Sequence, residues 1–274
     1  MKVYISADME GIAGAVTREQ LTQSGFEYQQ AREQMTAEVL MAIQGARAAG
    51  ATTFVVSDSH GNGQNLLQDR LPNDALLVRS WPRPLGMADG IDGGGFACAF
   101  LIGFHAGADN CGGSLSHTLS SRALHSLKIN GRVANEAMLC AGIAGHFDVP
   151  VTMISGDDVF IEETGSFLEG VQTVMTKRSR GLFSAHCRAA ADVLSDLREK
   201  AQRAVELAKR ASPFRLGTPI SVELSLNSRL SAEYGCYLPG VKRIGANTIA
   251  FEAATAPEMM AMLIFFLNYK PQFE

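Results

Sequence analysis

Charged residues are scarce in this sequence. They fill 19% of its 274 positions, below the roughly 25% of an average globular chain, which leaves less charge to cover a surface and weakly favours subunit contacts. Basic residues are not in excess: 24 Lys and Arg stand against 28 Asp and Glu, a formal net charge of −4. That balance argues against general nucleic-acid binding, which calls for a basic excess or stripe. Cysteine is sparse and odd in number, at five, with no C-x-x-C pair. Neither a disulfide framework nor a thiolate zinc site is suggested, and scattered thiols fit a reducing compartment. No apolar run approaches the roughly 18–20 residues of a membrane span. The opening MKVYISADMEG meets Asp8 and Glu10 before any stretch long enough for a signal peptide. The expected setting is the cytoplasm, with no membrane or nucleic-acid partner. At about 150 residues per domain the length suggests one large domain or two modest ones. Such a chain needs no disulfide or metal merely to fold.

Short apolar runs alternate with helical patterns, the signature of an α/β sheet. Lys2 to Ala7 reads as a first strand, and Ala31, Met35, Val39, Ala42, Ile43 and Ala46 mark a helix from Tyr28 to Ala49 that stops at Gly50. Strands are expected at 53–57, 97–103 and 150–155, with a hairpin turning at Asn130-Gly131 and a helix over 135–145. Beyond residue 182 the pattern changes. A long charged helix is expected from Cys187 to Ala211, then strands at 220–226 and 247–251, and an apolar helix at 259–267 behind the capping pair Thr255 and Glu258. The expected fold is α/β: a three-layer α/β/α main domain with a mostly parallel sheet, residues 1–185, carrying the metal site. A smaller α+β unit, residues 186–274, would serve packing, oligomerisation and the substrate-pocket wall.

The metal-capable side chains gather at strand ends. The first strand ends in Asp8-Met9-Glu10-Gly11, the second in Ser57-Asp58-Ser59-His60-Gly61 and the third in Gly103-Phe104-His105-Ala106-Gly107. Open α/β sheets bind ligands beyond the carboxyl ends of their strands, so Asp8, His60 and His105 would meet in one crevice. Glu136 opens the helix after the hairpin, and His117 lies in a polar, glycine-rich loop. Imidazole with carboxylate suits zinc, with manganese or cobalt as substitutes. In an extended chain Asp8 and Glu10 would face the same side, an arrangement able to flank two cations about 3.5–4 Å apart that polarise a carbonyl and activate water. Taken singly, each residue has an ordinary reading: an Asp after a first strand caps a helix or binds a ribose, and a His after a strand fills a core.

The same stretches, in the same order, resemble the zinc-dependent D-aminopeptidase (DppA-like) family. The resemblance is carried by Tyr4-Ile5-Ser6-Ala7-Asp8-Met9-Glu10-Gly11-Ile12-Ala13-Gly14, Ser57-Asp58-Ser59-His60, Gly103-Phe104-His105-Ala106, Ser116-His117-Thr118, Ile129-Asn130-Gly131 with Glu136, and Gly156-Asp157-Asp158. These motifs cover about the first 160 residues, with weaker similarity beyond. The resemblance implies two zinc ions per subunit bridged by Asp8, with Glu10 and His105 completing one and His60 and Glu136 the other. It also implies a catalytic His117, short D-residue peptides such as D-Ala peptides as substrates, and a ring-like homo-oligomer, a decamer in the type member. The family describes that histidine as a nucleophile; general acid/base work suits it better, because metal-activated water already supplies a nucleophile. Where the family has glycine before the metal-site glutamate, this chain has Asn135.

Three rival readings remain at this stage: an aminopeptidase or amidase acting on L-residues, a phosphoesterase using the same metals, and a non-catalytic peptide-binding protein. A phosphoesterase would want basic clamps, for which Arg122 and Arg132 are the nearby candidates. His125, His146 and His186 lack a strand-end context and read as structural. Asp58 and Asp157 either orient ligand histidines or cap turns. Gly93-Gly94-Gly95 follows no strand and makes no dinucleotide fingerprint. Met259, Met260, Met262, Phe265 and Phe266 read as core or subunit contact, and Glu162-Glu163 as a solvated face.

Overall fold

The computed structural model describes residues 1–271. Its first sheet has seven strands, β1 (Lys2–Ala7), β2 (Thr53–Asp58), β3 (Ala75–Val78), β4 (Phe96–Phe104), β7 (Val151–Asp157), β8 (Gln172–Gly181) and β9 (Ser184–Cys187), in the order β3-β2-β1-β4-β7-β8-β9. All pair in parallel except β9, which runs antiparallel to β8 at the edge. The central strands are continuous apolar runs because both faces are covered. On one face Val3, Ile5, Phe54, Val56, Phe100 and Ile102 pack under α1 (Tyr28–Ala48) and α4 (Ala190–Leu207). On the other, Tyr4, Val55, Ala99 and Leu101 join the core of α2 (Glu136–His146) and α6 (Ala256–Asn268). The expected α/β fold with a mostly parallel sheet is present.

A second, antiparallel sheet of five strands combines β5 (Leu124–Ile129) and β6 (Arg132–Val133) with β10 (Ile220–Leu226), β11 (Lys242–Arg243) and β12 (Thr248–Ala253), in the order β11-β12-β10-β5-β6. It therefore draws on both sides of residue 185, and α4 from the later segment packs on α1 of the earlier one. Two short helices, α3 (Asp158–Gly165) and α5 (Arg229–Gly235), complete the set. The charged helix is shorter than its pattern predicts, running from Ala190 to Leu207: Cys187 is taken into the edge strand against β8, and the last residues form a turn at 208–210. Thr255 caps α6 as expected by accepting from the Glu258 N–H, but the Glu258 carboxylate reaches one residue further back and accepts from the Ala254 N–H rather than from the cap residue itself. No helix among the described residues is long and apolar enough to cross a membrane.

Two glycines set the spacing at the sheet's carboxyl edge. A Cβ on Gly11 would lie 1.9 Å from the Phe104 carbonyl oxygen, and one on Gly103, which has a φ of +73°, would lie 2.3 Å from the Asp8 carbonyl oxygen. Only glycine at both positions lets the segment after β1 lie directly along the end of β4. The ladder runs on past β1, with the Asp8 N–H donating to Ile102 O (2.8 Å) and the Gly11 N–H to Gly103 O (2.7 Å). Asp8 and Glu10 are thereby delivered beside His105.

Candidate metal centre

Each cluster residue is held by its local structure. Asp8, 2% exposed, follows the last residue of β1 and accepts from the Met9 N–H. His60, just past β2, meets the Leu21 carbonyl at Nε2 (2.9 Å), so Nε2 carries the hydrogen and Nδ1 is turned toward Glu10 Oε2 (2.8 Å) and Asp8 Oδ1 (3.3 Å). In His105 the roles are exchanged: Nδ1 donates to Ala106 O, and Nε2 faces Glu136 Oε2 (3.3 Å) and Asp8 Oδ2 (3.4 Å). Glu136 is the first residue of α2, where the helix dipole favours a carboxylate, and Asn135 caps that helix by accepting from the Met138 N–H.

His117 completes the group from its own loop. Its ring stacks on His105 with centroids 4.2 Å apart and planes 9° from parallel. Nδ1 donates to Leu115 O (2.9 Å), which leaves Nε2 facing the cluster, 4.0 Å from Glu10 Oε1 and 4.0 Å from Glu136 Oε1. Leu115 and Leu119 on either side hold left-handed φ values of 54° and 57°, at roughly 1–2 kcal/mol each for a residue with a Cβ. The Leu119 N–H donates to Glu136 Oε1 (2.6 Å), tying this strained turn to the cluster.

The donor set fits metal ions. Three triads have one donor atom each within 4.8 Å of one another: Asp8, Glu10 and His60; Asp8, His105 and Glu136; and Glu10, His105 and His117. Asp8 is shared by the first two, which place Glu10 with His60 and His105 with Glu136, while the third places Glu10 with His105, as in the expected grouping. Buried His105 Nε2 makes no hydrogen bond although two carboxylates flank it, which suits an atom meant for a cation. Burial alone would push both imidazoles down. Glu10 with Asp8 around His60, and Glu136 with Asp8 around His105, outweigh it and hold both well above the usual histidine range. Burial would likewise raise the Asp8 carboxyl, but His105 and His60 hold it well below the usual carboxylate range. The protons on these imidazoles compete with metal.

A second layer fixes the loop that carries Asp8 and Glu10. A bulge in β8 turns consecutive residues Thr176 and Lys177 to the buried side. Lys177 Nζ donates to the carbonyls of Glu10, Ile12 (3.2 Å) and Ala15 (2.5 Å), and the Thr176 hydroxyl to Gly11 O (2.6 Å). From the other side Glu38 accepts the Ala13 N–H (2.8 Å). Burial draws the Lys177 pKa down to about 8 against the pull of Asp157, Cys187, Glu38 and Glu10. Leaving a buried carbonyl without its donor costs about 1–3 kcal/mol, so Lys177→Met is expected to destabilise the fold by roughly 3 kcal/mol or more. In a thermal melt that is a drop of about 6–12 °C; an unchanged melting temperature would show that water replaces the ammonium.

The cluster opens on a cavity of about 790 Å³. Met260, Ile264, Phe265 and Tyr269, from α6 and the residue just after it, form its apolar wall, with Met87 and Trp81 nearby. Met259 and Phe266 go to the core, while Phe265, 48% exposed, stacks on Tyr269 (5.6 Å) at the rim. The basic residue in the lining is Arg83, not Arg122 or Arg132; Arg132 lies over the Phe167 ring and reaches Ser166 O. Asp58 and Asp157 are turn and helix caps: Asp58 accepts from the Asn65 and Leu66 N–H groups, Asp157 from those of Ser114 and Phe160. Glu163 is half-buried and binds Gly107 N–H and Asn110 after β4, so it is no solvated residue. Lys177 and Arg83 escaped sequence reasoning, one as a charge inside a polar strand, the other as a lone cation between two prolines.

Carboxylates and imidazoles gathered beyond the carboxyl ends of parallel strands, at the head of an apolar-walled cavity, define a hydrolase of the metal-dependent class. Comparison with known proteins narrows this. The peptidase M55 (D-aminopeptidase) family matches residues 1–265, and the chain belongs to it; it is a peptide hydrolase of the D-aminopeptidase type. A D-aminopeptidase of Bacillus subtilis (strain 168) is 30% identical over 266 residues, 96% of this chain and 96% of that protein. The solved structure of the Zn-dependent D-aminopeptidase DppA from Bacillus subtilis, described as a self-compartmentalizing protease, matches 100% of both chains with a TM-score of 0.92 and 28% identity.

Proposed function

We propose that this protein is a binuclear zinc aminopeptidase of the cytoplasm that removes an N-terminal D-residue, such as D-Ala, from short peptides. The observation that carries the reading is the pair of carboxylate–imidazole triads sharing Asp8 at the head of the cavity. Asp8, Glu10 and His60 would hold one ion, and Asp8, His105 and Glu136 the other. Once bound, the ions would polarise the scissile carbonyl and activate water for attack. His117 is the proton carrier: Nδ1–H is anchored on Leu115 O, so Nε2 is the atom that takes a proton and returns it to the leaving amine nitrogen. The acidic head of the cavity attracts the ammonium of the substrate, and the α6 wall excludes water on the side away from the cluster. The later part of the chain thus serves as pocket wall to a catalytic unit formed by the earlier part. The zinc dependence and self-compartmentalization of the Bacillus subtilis protein support extending both to this chain, with a ring-like homo-oligomer, a decamer, as the assembly.

Hydrolysis of paired D-Ala and L-Ala p-nitroanilides tests the reading. The D form is expected to be cleaved, the activity to vanish with a chelator and to return with zinc. Equal cleavage of the L form would remove the stereochemical claim. Chelator-resistant cleavage would remove the metal mechanism, and no cleavage of either would remove the aminopeptidase.

A further inference from the structure

Glu163 reads as solvated in the sequence, yet it is half-buried on the last turn of α3 and both its carboxylate oxygens are taken by amide hydrogens. The Gly107 N–H lies 3.2 Å from Oε1 and 3.4 Å from Oε2, and Asn110 Nδ2 donates to Oε2 (2.6 Å). Glycine at 107 leaves this approach open, since a Cβ there would lie 3.1 Å from Oε1. α3 carries no member of the acidic cluster. Its Thr164 nonetheless accepts from Asn135, the residue before Glu136. Asp157, at the head of α3, accepts from the Ser114 N–H in the loop that carries His117.

The peptide unit between Ala106 and Gly107 gives these contacts a direction. Its N–H is held by Glu163, and its C=O accepts from both His105 Nδ1 (3.0 Å) and the His117 backbone N–H (3.2 Å). The unit is a planar trans peptide, so one end cannot turn without the other. The carboxylate therefore steadies the plane whose oxygen fixes the His105 tautomer and seats His117 over it, ring on ring at 4.2 Å. Hydrogen bonds in such a chain polarise one another, so an anionic acceptor on the N–H strengthens the carbonyl as an acceptor. Asn110 adds a second hold, because its carbonyl accepts from the hydroxyl of Ser116, the neighbour of His117 (3.1 Å).

We propose that Glu163 is a positioning residue for the stacked His105 and His117 pair, acting through the Ala106–Gly107 peptide and through Asn110. Carboxylate, peptide and imidazole form a relay that ends on the two rings. Support of this kind behind a ligating histidine sets its orientation and its basicity. The kinetic part of the inference rests on the aminopeptidase reading, while its metal-binding part stands without it.

The test compares wild type, Glu163→Ala and Glu163→Gln, each with and without His117→Ala. Zinc affinity, measured by competition with a chromogenic chelator, is expected to fall about 10-fold or more for one equivalent in Glu163→Ala. With zinc saturating, kcat for D-Ala p-nitroanilide is expected to fall about 10- to 100-fold at unchanged KM. In the His117→Ala background the same substitution should lower kcat little further, because residues that act through one another are not additive. Glu163→Gln still offers an oxygen to the Gly107 N–H and should restore most of both losses. A merely structural role would lower the melting temperature but leave zinc affinity, and kcat at saturating zinc, in place. Unchanged zinc affinity, unchanged kcat, or a loss repeated in full in the His117→Ala background would overturn the assignment. A wild type that binds zinc but leaves D-Ala p-nitroanilide intact would overturn the aminopeptidase reading, and the zinc competition would still decide the role of Glu163. A wild type that binds no zinc would overturn both.

Discussion

Replacing Asp8 with asparagine is expected to remove both metal equivalents and to lower kcat/KM by about three orders of magnitude or more, roughly 4 kcal/mol of transition-state stabilisation. The size of the effect follows from sharing. Asp8 offers Oδ1 toward His60 and Oδ2 toward His105, so one carboxylate serves both triads. Asparagine keeps the shape, but it removes the negative charge and turns one of the two oxygens into an amide nitrogen that cannot ligate through a lone pair. The buried imidazoles then face one carboxylate each, too little to hold a divalent cation against its hydration. Substitution of Glu136 or His60, each a member of a single triad, should instead cost one equivalent. Elemental analysis of dialysed protein, read beside circular dichroism, separates these outcomes. An Asp8→Asn protein with both equivalents and ordinary turnover would show that the cluster is not the metal centre.

His117→Ala is expected to behave in the opposite way, keeping both metal equivalents while kcat falls about 100- to 10,000-fold, the usual range for a positioned proton carrier. His117 belongs to neither of the two triads that share Asp8, and its Nε2 stands 4.0 Å from the nearest carboxylate oxygens, beyond hydrogen-bond reach. Its side chain is 22% exposed toward the cavity, while His105 beneath it is sealed at 1%. Removing the ring thus uncovers His105 without taking away a ligand from either of those triads. Full activity in this variant would assign the proton transfers elsewhere, with Glu10 and Glu136 the next groups to test. Loss of metal together with activity would instead place His117 in the inner coordination of an ion, as the Glu10, His105 and His117 triad allows.

The candidate site was legible in the sequence because its residues sit at strand ends, and strand ends are marked by local patterning. β1, β2 and β4 are apolar runs that break sharply at Asp8, His60 and His105, so both the elements and their output could be read from a few residues each. The distances between these side chains could not, since they depend on how far each loop curls past the sheet. That distance is set by Gly11 and Gly103 and by the Leu21 carbonyl, which selects the His60 tautomer. Long-range partnerships were equally invisible. The Asn130-Gly131 turn announced a hairpin, but nothing in 124–133 indicates that it would pair with β10 some ninety residues later. β3, four residues long and half-buried, is too short to show a period. The β8 strand is hidden by its own chemistry: Lys177 and Arg178 in QTVMTKRSRG look like surface, and only the bulge against β7 turns the lysine inward. Arg83 reads as part of a proline-rich turn until the cavity beside it is seen.

The second sheet also bears on how the enzyme is made. Every residue of the acidic cluster has left the ribosome by Glu136, yet β5 and β6, which lead directly into the helix carrying Glu136, wait for β10 and β12 before their sheet exists. The α6 wall that lines the cavity beside the acidic cluster emerges later still. Pairing across such a sequence distance is slow to form, because loop closure must precede the contacts that reward it. A partly synthesised chain therefore holds all its ligands but no finished reaction vessel.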